Sequence, residues 1–315
     1  MRGKTKTVLV TGGCGFIGSH IVAGLLLEGY KVRVLDNLST GKLENLDLID
    51  KKDVEVCVGD VTDFSALDAA IDGCEYVFHQ AAVVSVPKSV EAPIETGKVN
   101  YGGTLNVLEA ARRYGVRRVM FAGSAAVYGN ELTLPKKESM RPCPITPYGV
   151  DKLASEYMGH VYARNFGIEF VSLRYFNVFG SRQDPSSPYS GVISIFCNQM
   201  LQGTAPTIYG DGCQSRDFVH VTDVVRANLM VMKHPKASTK TFNVGRGVTT
   251  NLLEIIKEIN SLTGQNLLPI HKDVRSGDIR HSLADNTELK ALGWSASISI
   301  REGLTELLDI KPFNS

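Results

Sequence analysis

The chain has 315 residues and a formal net charge of +1 at pH 7, from 34 Lys and Arg against 33 Asp and Glu. With 43% hydrophobic and 21% charged residues it has the composition of an ordinary globular protein, which excludes a disordered or fibrous chain. The balanced charge and the lack of any run of five or more basic residues argue against nucleic acid or an anionic membrane as a partner. We therefore expect about two domains and a small-molecule ligand.

The six cysteines lie far apart, with no C-x-x-C pair and no Cys and His at the spacing of a zinc site. This usage predicts reduced thiols, a cytoplasmic protein and no metal site. An apolar stretch from Val8 to Leu27 follows three basic residues and loosely resembles a signal peptide. Because glycines interrupt it and no small-residue cleavage site follows, we expect neither secretion nor a transmembrane helix.

Short runs of β-branched residues alternate with amphipathic stretches through the first half of the chain, which predicts βαβ units and a parallel sheet. The predicted strands are Thr7–Thr11, Lys31–Leu35, Val54–Val58, Tyr76–His79, Arg118–Ala122 and Glu169–Leu173. The predicted helices are Phe16–Glu28, Glu95–Tyr114 and Tyr148–Phe166, followed at their C-terminal ends by Gly29, Gly115 and Gly167. Beyond about Phe179 the alternation gives way to shorter elements and two late helices, predicted at Asn251–Thr263 and Arg301–Ile310.

The first predicted strand runs into the sequence Thr11-Gly12-Gly13-Cys14-Gly15-Phe16-Ile17-Gly18 and then into a helix. Gly15 lets a pyrophosphate approach the backbone at the helix N-terminus, and Gly18 lets the helix pack closely on the strand. Taken alone, the string fits a tight turn with positive φ equally well. Asp36, which follows the second predicted strand, adds a carboxylate that can accept hydrogen bonds from an adenosine ribose. With Asn37 beside it instead of an arginine, the pattern predicts NAD rather than NADP.

Tyr148 and Lys152 stand four positions apart at the start of a predicted helix and so share one face. An unperturbed phenol has a pKa of about 10. A neighbouring ammonium together with an oxidised nicotinamide would favour the phenolate and make Tyr148 a base at neutral pH. Taken alone, however, a Tyr and a Lys at this spacing are more often incidental than catalytic.

Several motifs together resemble the extended short-chain dehydrogenase/reductase family in order and spacing over essentially the whole chain. They are Gly12, Gly15 and Gly18, Asp36, Asp60-Val61, His79-Gln80-Ala81-Ala82, Asn100, Ser124 and Tyr148-x-x-x-Lys152. Four later motifs resemble its nucleotide-sugar epimerase branch. They are Arg174-Tyr175-Phe176-Asn177-Val178-Phe179-Gly180, Ile208-Tyr209-Gly210-Asp211-Gly212, Arg216-Asp217-Phe218-Val219 and Arg275-Ser276-Gly277-Asp278.

The resemblance implies an α/β fold, with a Rossmann-type doubly wound parallel sheet and a smaller C-terminal α/β substrate-binding domain. Residues 1–178, with a returning segment at about 216–248, would form the NAD-binding domain. Residues 179–215 and 249–315 would bind a UDP-sugar. The family also implies a homodimer, in which the helices predicted at Glu95–Tyr114 and Tyr148–Phe166 pack across a two-fold axis.

The activity implied by the resemblance is 4-epimerisation of a UDP-hexose by transient oxidation at C4. Tyr148 would take the proton of the sugar 4-hydroxyl, Ser124 would hydrogen-bond the reacting oxygen, and Lys152 would hold the nicotinamide ribose and lower the pKa of Tyr148. NAD would remain bound as a catalyst and undergo no net redox change.

The resemblance also assigns binding residues. Those implied for NAD are Gly12, Gly15, Phe16, Ile17, Gly18, Asp36, Asn37, Asp60, Val61, Gln80, Ala81, Ala82, Asn100, Tyr148, Lys152 and Tyr175. Those implied for the UDP-sugar are Ser85, Lys88, Ser124, Asn177, Val192, Tyr209, Arg216, Arg275, Asp278 and Ser282. Among the latter, Arg216 and Arg275 would clamp the diphosphate, although each taken without the family fits a surface ion pair better.

The choice of reaction within the branch depends on which residues are absent. Related 4,6-dehydratases and decarboxylases place an acidic residue close after the position of Ser124, where this chain has Ala125 and Ala126. Asn177 fits epimerases of neutral sugars better than those of uronic acids. Ser282 stands where an aromatic residue would exclude an N-acetyl group, which favours UDP-GlcNAc and UDP-GalNAc, alongside or ahead of UDP-Glc and UDP-Gal.

Three alternatives stay open from the sequence. One is a UDP-glucose 4-epimerase without N-acetyl activity, since Val84, Gly123 and Ser194 depart from common family patterns. Another is a net NAD-dependent oxidoreductase of nucleotide sugars, which would change the amount of NADH during turnover. The third is a non-catalytic NAD sensor, which would need none of Ser124, Tyr148 and Lys152.

Overall fold

The structure is a computed structural model that describes residues 6–47, 49, 51–185, 191–274 and 279–309. Its strands are β1 Thr7–Thr11, β2 Lys31–Asp36, β3 Val54–Val58, β4 Cys74–His79, β5 Arg118–Ser124, β6 Glu169–Tyr175, β7 Asn177–Phe179, β8 Thr207–Tyr209, β9 Ser215–His220, β10 Lys240–Val244, β11 Thr249–Asn251 and β12 Ile270–Lys272. Its α-helices are α1 Phe16–Leu27, α2 Phe64–Ile71, α3 Val86–Glu91, α4 Pro93–Gly97, α5 Gly103–Arg113, α6 Pro147–Phe166, α7 Val192–Leu201, α8 Val221–Lys233, α9 Leu252–Thr263, α10 Thr287–Lys290 and α11 Ile300–Leu307.

Seven strands form one parallel sheet in the order β10-β6-β5-β4-β1-β2-β3. The strand order reverses between β1 and β4, and at such a point a doubly wound sheet opens a crevice at the carboxyl ends of its strands. The predicted Rossmann-type α/β fold is confirmed. A dinucleotide would bind in this crevice.

Alternate residues of the central strands pack into two cores, one on each face of the sheet. Val8 and Val10 of β1 belong to the core that α1 and α8 cover. Leu9, between them, belongs to the core that α2 and α5 cover. Both faces are therefore buried, which explains why these strands are near-continuous apolar runs.

The later part of the chain forms two small sheets. β7 pairs in parallel with β9, β11 pairs antiparallel with β9, and β12 pairs in parallel with β8. A third apolar core joins α7, α9 and α11 to this region. The segment expected to return at about 216–248 contributes to both parts of the molecule, because β9 lies in a small sheet while β10 is an edge strand of the large one.

Most predicted strands and helices are present with ends shifted by one or two residues. One prediction is wrong, because a helix predicted to be continuous is interrupted. The helix predicted over Glu95–Tyr114 is α4 and α5 joined by a π-helical turn at Lys98–Gly102. The prediction also missed α8, whose mixed sequence lies beyond Phe179 where the alternation weakens. The last helix runs over Ile300–Leu307, and Ile310 of the predicted span lies outside the described residues.

Within the described ranges, no helix has both the length and the apolar character needed to cross a membrane.

Candidate active site

The glycine turn between β1 and α1 leaves no room for side chains. Gly12 has a φ of +67°, and a Cβ there would lie 2.7 Å from the backbone N of Ala81. A Cβ on Gly18 would lie 2.1 Å from the Gly12 carbonyl oxygen. Glycine is therefore required at both positions, and the backbone itself forms the floor of the crevice.

The N-terminus of α1 completes a cradle for an anion. α1 begins after Gly15, with no side-chain cap and no acidic residue in its first turn. The N–H groups of Phe16 and Ile17 belong to that first turn, which lacks intrahelical acceptors. Together with the helix dipole, these groups fit the pyrophosphate of a dinucleotide.

Asp36 ends β2 at the edge of the crevice and is held there by two backbone donors. Cys14 N donates to Oδ2 over 2.9 Å, and Leu38 N donates to Oδ1 over 2.8 Å. Each carboxylate oxygen retains a lone pair for a ribose hydroxyl. The adjacent Asn37 donates to Asp60 Oδ2 over 2.7 Å and, as a neutral amide, offers no charge to bind a 2′-phosphate.

Asp60 and Val61 follow β3 and form the wall at the Asp36 end of the crevice. Asp60 Oδ1 accepts hydrogen bonds from the backbone N and the hydroxyl of Thr62, both over 2.8 Å. Although burial acts to raise it, these bonds and the one from Asn37 hold the pKa of Asp60 below its ordinary value. Val61 is buried, and its carbonyl accepts from the Asn106 amide over 3.0 Å.

His79, at the end of β4, ties the glycine turn to the helices behind the sheet. Its Nε2 lies 2.9 Å from Thr104 Oγ1, whose hydroxyl donates to the Asn100 carbonyl over 2.6 Å, so we assign the proton of His79 to Nε2. Nδ1 then accepts from the Thr11 hydroxyl over 2.7 Å. Burial lowers the pKa of His79 to about 3, so His79 is a neutral core histidine with both ring nitrogens hydrogen-bonded.

Asn100 lies in the π-helical turn and orders the loop after β4. Its Oδ1 accepts from Val83 N over 2.8 Å, and its Nδ2 donates to Val83 O over 3.1 Å. The loop that carries Gln80, Ala81 and Ala82 is thereby fixed along the crevice.

Tyr175, at the end of β6, faces this loop from the other side. Its hydroxyl oxygen accepts from Asn228 Nδ2 over 2.8 Å and from Gln80 Nε2 over 3.3 Å. Burial raises the pKa of Tyr175 to about 12, so its phenol stays protonated and serves as a neutral wall of the crevice.

Ser124 and Tyr148 meet where β5 ends and α6 begins. Ser124 Oγ accepts from Ala126 N over 3.2 Å and so caps the short turn that follows the strand. α6 starts with Thr146 as N-cap and Pro147 in its first turn, which brings Tyr148 against Ser124. Burial raises the pKa of Tyr148, and the neighbouring Ser124 hydroxyl acts to lower it.

Lys152 lies one helical turn after Tyr148 and is buried. Its Nζ donates to the Ala122 carbonyl over 2.8 Å and lies 4.9 Å from the centre of the Phe121 ring. Burial lowers the pKa of Lys152 to about 8. Its ammonium is 5.9 Å from the centre of the Tyr148 ring, and in the protein alone it does not reverse the raised pKa of that phenol.

The structure brings together three of the residues expected to contact the sugar nucleotide. Asn177 on β7 donates to Asp217 O over 3.4 Å, and β7 pairs directly with β9, which carries Arg216. Ser282, which is half-buried, donates its backbone N–H to Ser215 O over 3.1 Å and so lies beside the same strand. These side chains therefore belong to one small sheet and its neighbouring segment.

The other expected substrate residues lie on separate elements. Ser85 is the buried N-cap of α3 and accepts from Lys88 N over 3.1 Å, whereas the Lys88 side chain is exposed. Val192 is the first residue of α7, and Tyr209 the last of β8. Arg275 and Asp278 lie outside the described residues.

Two residues with clear roles at the site were missed. Ser89 Oγ accepts from Tyr148 N over 3.2 Å, and no sequence signal marks it. Asp217 is buried on β9 in the three-stranded sheet, and its carboxylate accepts from the backbone N of Arg246, Gly247 and Ala284 over 2.7 to 3.1 Å. The position of Asp217 next to Arg216, in the motif Arg216-Asp217-Phe218-Val219, is the sequence signal that could have identified it.

Comparisons with known proteins agree with this geometry. The model of the NAD dependent epimerase/dehydratase family matches residues 8–245. A putative UDP-glucose 4-epimerase from Methanocaldococcus jannaschii is 40% identical over 305 residues, which cover 96% of this chain and 97% of that protein.

Two solved structures have the same fold over nearly the whole chain. The UDP-glucose 4-epimerase of Thermotoga maritima with UDP-glucose is 40% identical, with a TM-score of 0.92 and coverage of 96% of this chain and 97% of that one. The UDP-N-acetylglucosamine 4-epimerase of Methanobrevibacter ruminantium in complex with UDP-N-acetylmuramic acid is 36% identical, with a TM-score of 0.92 and coverage of 97% and 99%. The protein therefore belongs to the NAD-dependent epimerase/dehydratase family within the extended short-chain dehydrogenases/reductases, and its cofactor is NAD.

Proposed function

We propose that the protein is an NAD-dependent 4-epimerase of UDP-hexoses. The observation that carries this proposal is the placement of Ser124 beside Tyr148, with Lys152 one turn further on, at the carboxyl edge of the sheet beside the glycine cradle. Ala125 and Ala126 follow Ser124, so no carboxylate stands there for elimination or decarboxylation. The two solved 4-epimerases with the same fold support this choice among the family's reactions.

When bound, NAD supplies reversible oxidation of the sugar carbon. The protein's part is to move one proton and to hold the sugar oxygen. Tyr148 Oη, as the phenolate, accepts the proton of the 4-hydroxyl, and Ser124 Oγ–H donates a hydrogen bond to the same oxygen. Lys152, whose ammonium donates to the Ala122 carbonyl, keeps a positive charge near Tyr148 and so favours the phenolate form of that side chain. Tyr148 returns the proton once the opposite face of the keto sugar has been presented.

The proposed binding residues fall into two groups, one for NAD and one for the UDP-sugar. The residues around the glycine turn, Asp36 and the loop after β4 would hold NAD, and the region of β7, β8 and β9 would hold the UDP-sugar. Arg216, Arg275 and Asp278 would hold the diphosphate and ribose of UDP. The division into domains at residues 1–178 with about 216–248, and 179–215 with 249–315, belongs to this proposal.

For the sugar, we propose UDP-GlcNAc and UDP-GalNAc, alongside or ahead of UDP-Glc and UDP-Gal. Ser282 is small and only half-buried, and it lies next to the strand of Arg216, where it leaves space for a 2-acetamido group. One solved relative is a UDP-N-acetylglucosamine 4-epimerase and another is a UDP-glucose 4-epimerase, so both activities occur among structures with this fold.

The experiment that tests the function uses the purified protein without added cofactor. UDP-GlcNAc and UDP-Gal are supplied in separate reactions, and the C4 epimers are followed by proton NMR together with absorbance at 340 nm. Conversion to an equilibrium mixture without net NADH supports the proposal. Accumulation of NADH after NAD is added, with no epimer, would instead indicate a net oxidoreductase, and binding of NAD without any turnover would indicate a sensor.

We also propose a cytoplasmic homodimer. α3 and α4 pack against α6, and all three helices expose large apolar side chains. These are Val90 at 61%, Ile94 at 83%, Val150 at 50%, Tyr157 at 53% and Val161 at 46% exposure. A second copy of the chain would cover them.

A further inference from the structure

Glu156 is a buried carboxylate on the catalytic helix that the proposed mechanism does not use. It follows Tyr148 by eight residues and Lys152 by four, so all three lie along one face of α6. Its side chain is only 2% exposed. A charged group this deeply buried has to be paired, and its partners show what it holds.

The partners of Glu156 lie on β6. Arg174 Nη2 donates to Oε1 over 2.6 Å, and Arg174 Nε donates to Oε2 over 3.0 Å. The Ser172 hydroxyl donates to Oε2 over 2.8 Å. This two-pronged pairing fixes the helix on the strand in both distance and rotation.

The third nitrogen of the Arg174 guanidinium, Nη1, extends these hydrogen bonds towards Ser124. Nη1 donates to the Tyr128 hydroxyl over 2.9 Å, and that hydroxyl donates to Asn243 Oδ1 over 2.7 Å. Tyr128 ends the short turn that Ser124 caps. One buried network therefore joins the helix of Tyr148 and Lys152 to the turn of Ser124.

We infer that Glu156 and Arg174 are positioning residues that set the spacing between Ser124 and Tyr148. A buried ion pair is poor support for stability, because apolar residues of similar volume often replace it without loss. What apolar packing does not reproduce is a fixed direction of contact. Ser124 and Tyr148 must address the same sugar oxygen, which needs such a direction, and a displacement of about 1 Å is enough to cost about 100-fold in rate. The inference rests on the roles proposed above for Ser124 and Tyr148.

The test separates positioning from stability with three variants. Glu156→Gln keeps the shape of the side chain but removes its charge, and Glu156→Leu combined with Arg174→Met removes the pair altogether. Glu109→Gln is the matched control, since Glu109 makes close ion pairs with Arg112 and Arg113 on the exposed side of α5. Each variant is measured for kcat and KM, for the urea midpoint, and for the pH profile of kcat.

If the network positions the pair, Glu156→Gln lowers kcat about 10- to 100-fold with little change in KM. Its pH profile shifts to higher pH because the displaced Ser124 hydroxyl lowers the pKa of Tyr148 less. The double variant regains the wild-type urea midpoint but not the wild-type kcat. Recovery of kcat together with the midpoint would overturn the inference, because the pair would then be structural only. The Glu109→Gln control keeps both kcat and the pH profile.

A readout independent of turnover is hydrogen exchange of the folded protein. Loss of the network should raise exchange in the peptides that cover residues 124–128 and 147–152 in the double variant, even where its urea midpoint is normal. Unchanged exchange in both peptides would also overturn the inference. If these two peptides are protected from exchange in wild type and lose protection in the double variant, but wild type epimerises neither sugar nucleotide, the proposed function is refuted. The positioning role of the network is then still supported.

Discussion

Asp217 shows how one buried carboxylate organises the region proposed to bind the sugar nucleotide. It accepts backbone N–H groups from Arg246, Gly247 and Ala284, so it joins β9 to two segments that are distant in sequence. The Ala284 segment also carries Ser282. Asp217 therefore acts through backbone positions rather than through direct contact with other side chains.

Burial raises the pKa of Asp217 to about 6, against the lowering effect of its N–H donors. Between pH 4 and 6 the folded state thus keeps a proton on Asp217 that the unfolded state releases. The free energy of unfolding therefore falls as the pH rises from 4 to 6, by an amount on the order of 2–3 kcal/mol. Urea unfolding at pH 4.5 and 7 should show wild type losing stability relative to Asp217→Asn as the pH rises.

The control for this measurement is Asp63→Asn, which changes the same atoms at the exposed N-cap of α2. Asparagine caps a helix about as well as aspartate, so this variant should follow the wild-type pH dependence closely. If the stability of wild type relative to Asp217→Asn stays constant or increases as the pH rises, the three N–H donors outweigh burial and the prediction is wrong.

Ser282 allows the sugar preference to be tested at a single residue. Ser282→Tyr should abolish turnover of UDP-GlcNAc while UDP-Gal keeps a rate within a few-fold of wild type, because a ring would fill the space of the acetamido group. Ser282→Ala is the control and should keep both activities. The comparison is made by proton NMR of the two epimerisations, and an equal loss on both substrates would contradict the assignment.

At the scale of elements, Arg118 connects the large sheet to the end of α8. This side chain is 1% exposed at the start of β5, and its Nη1 donates to the carbonyls of Val231, Met232 and His234. Its Nε also donates to Glu169 over 2.6 Å. It therefore satisfies carbonyls at a helix C-terminus that would otherwise lack partners.

Arg118→Met should destabilise the protein by about 2–4 kcal/mol, because it leaves buried carbonyls and one carboxylate without a donor. The neighbouring Arg117, whose side chain is 53% exposed, gives the matched control Arg117→Met, for which we expect a change below about 1 kcal/mol. Urea unfolding measures both. A loss of similar size in the two variants would show that the buried contacts of Arg118 add little.

The strands and the glycine turn could be predicted from sequence because each is a local pattern of apolar residues bounded by turn residues. The break in the helix expected at Glu95–Tyr114 could not, since the π-helical turn depends on packing of Asn100 against the loop after β4. The motifs located Ser124, Tyr148 and Lys152, whose roles stay proposals. The partner of the Tyr148 backbone, Ser89, could not be found because the two residues meet only in the folded chain.

At the scale of the whole molecule, the exposed apolar face of α3, α4 and α6 predicts self-association. Val161→Asp should shift the protein from dimer to monomer, because a carboxylate in a covered apolar interface has no partner. Val248→Asp changes an equally exposed valine away from these helices and should leave the mass unchanged. Light scattering coupled to size-exclusion chromatography measures both, and a monomeric wild type would contradict the dimer.

The position of β10 has a consequence for how the chain folds during synthesis. β10 pairs with β6, so Lys240 lies opposite Val171 although about seventy residues separate them. Until residues 240–244 have left the ribosome, β6 is an uncovered edge strand of an otherwise formed sheet, and such an edge readily pairs with another nascent chain. The chain is therefore most prone to aggregate late in translation, and a stop codon or stall before residue 240 should leave the edge of β6 open to other chains.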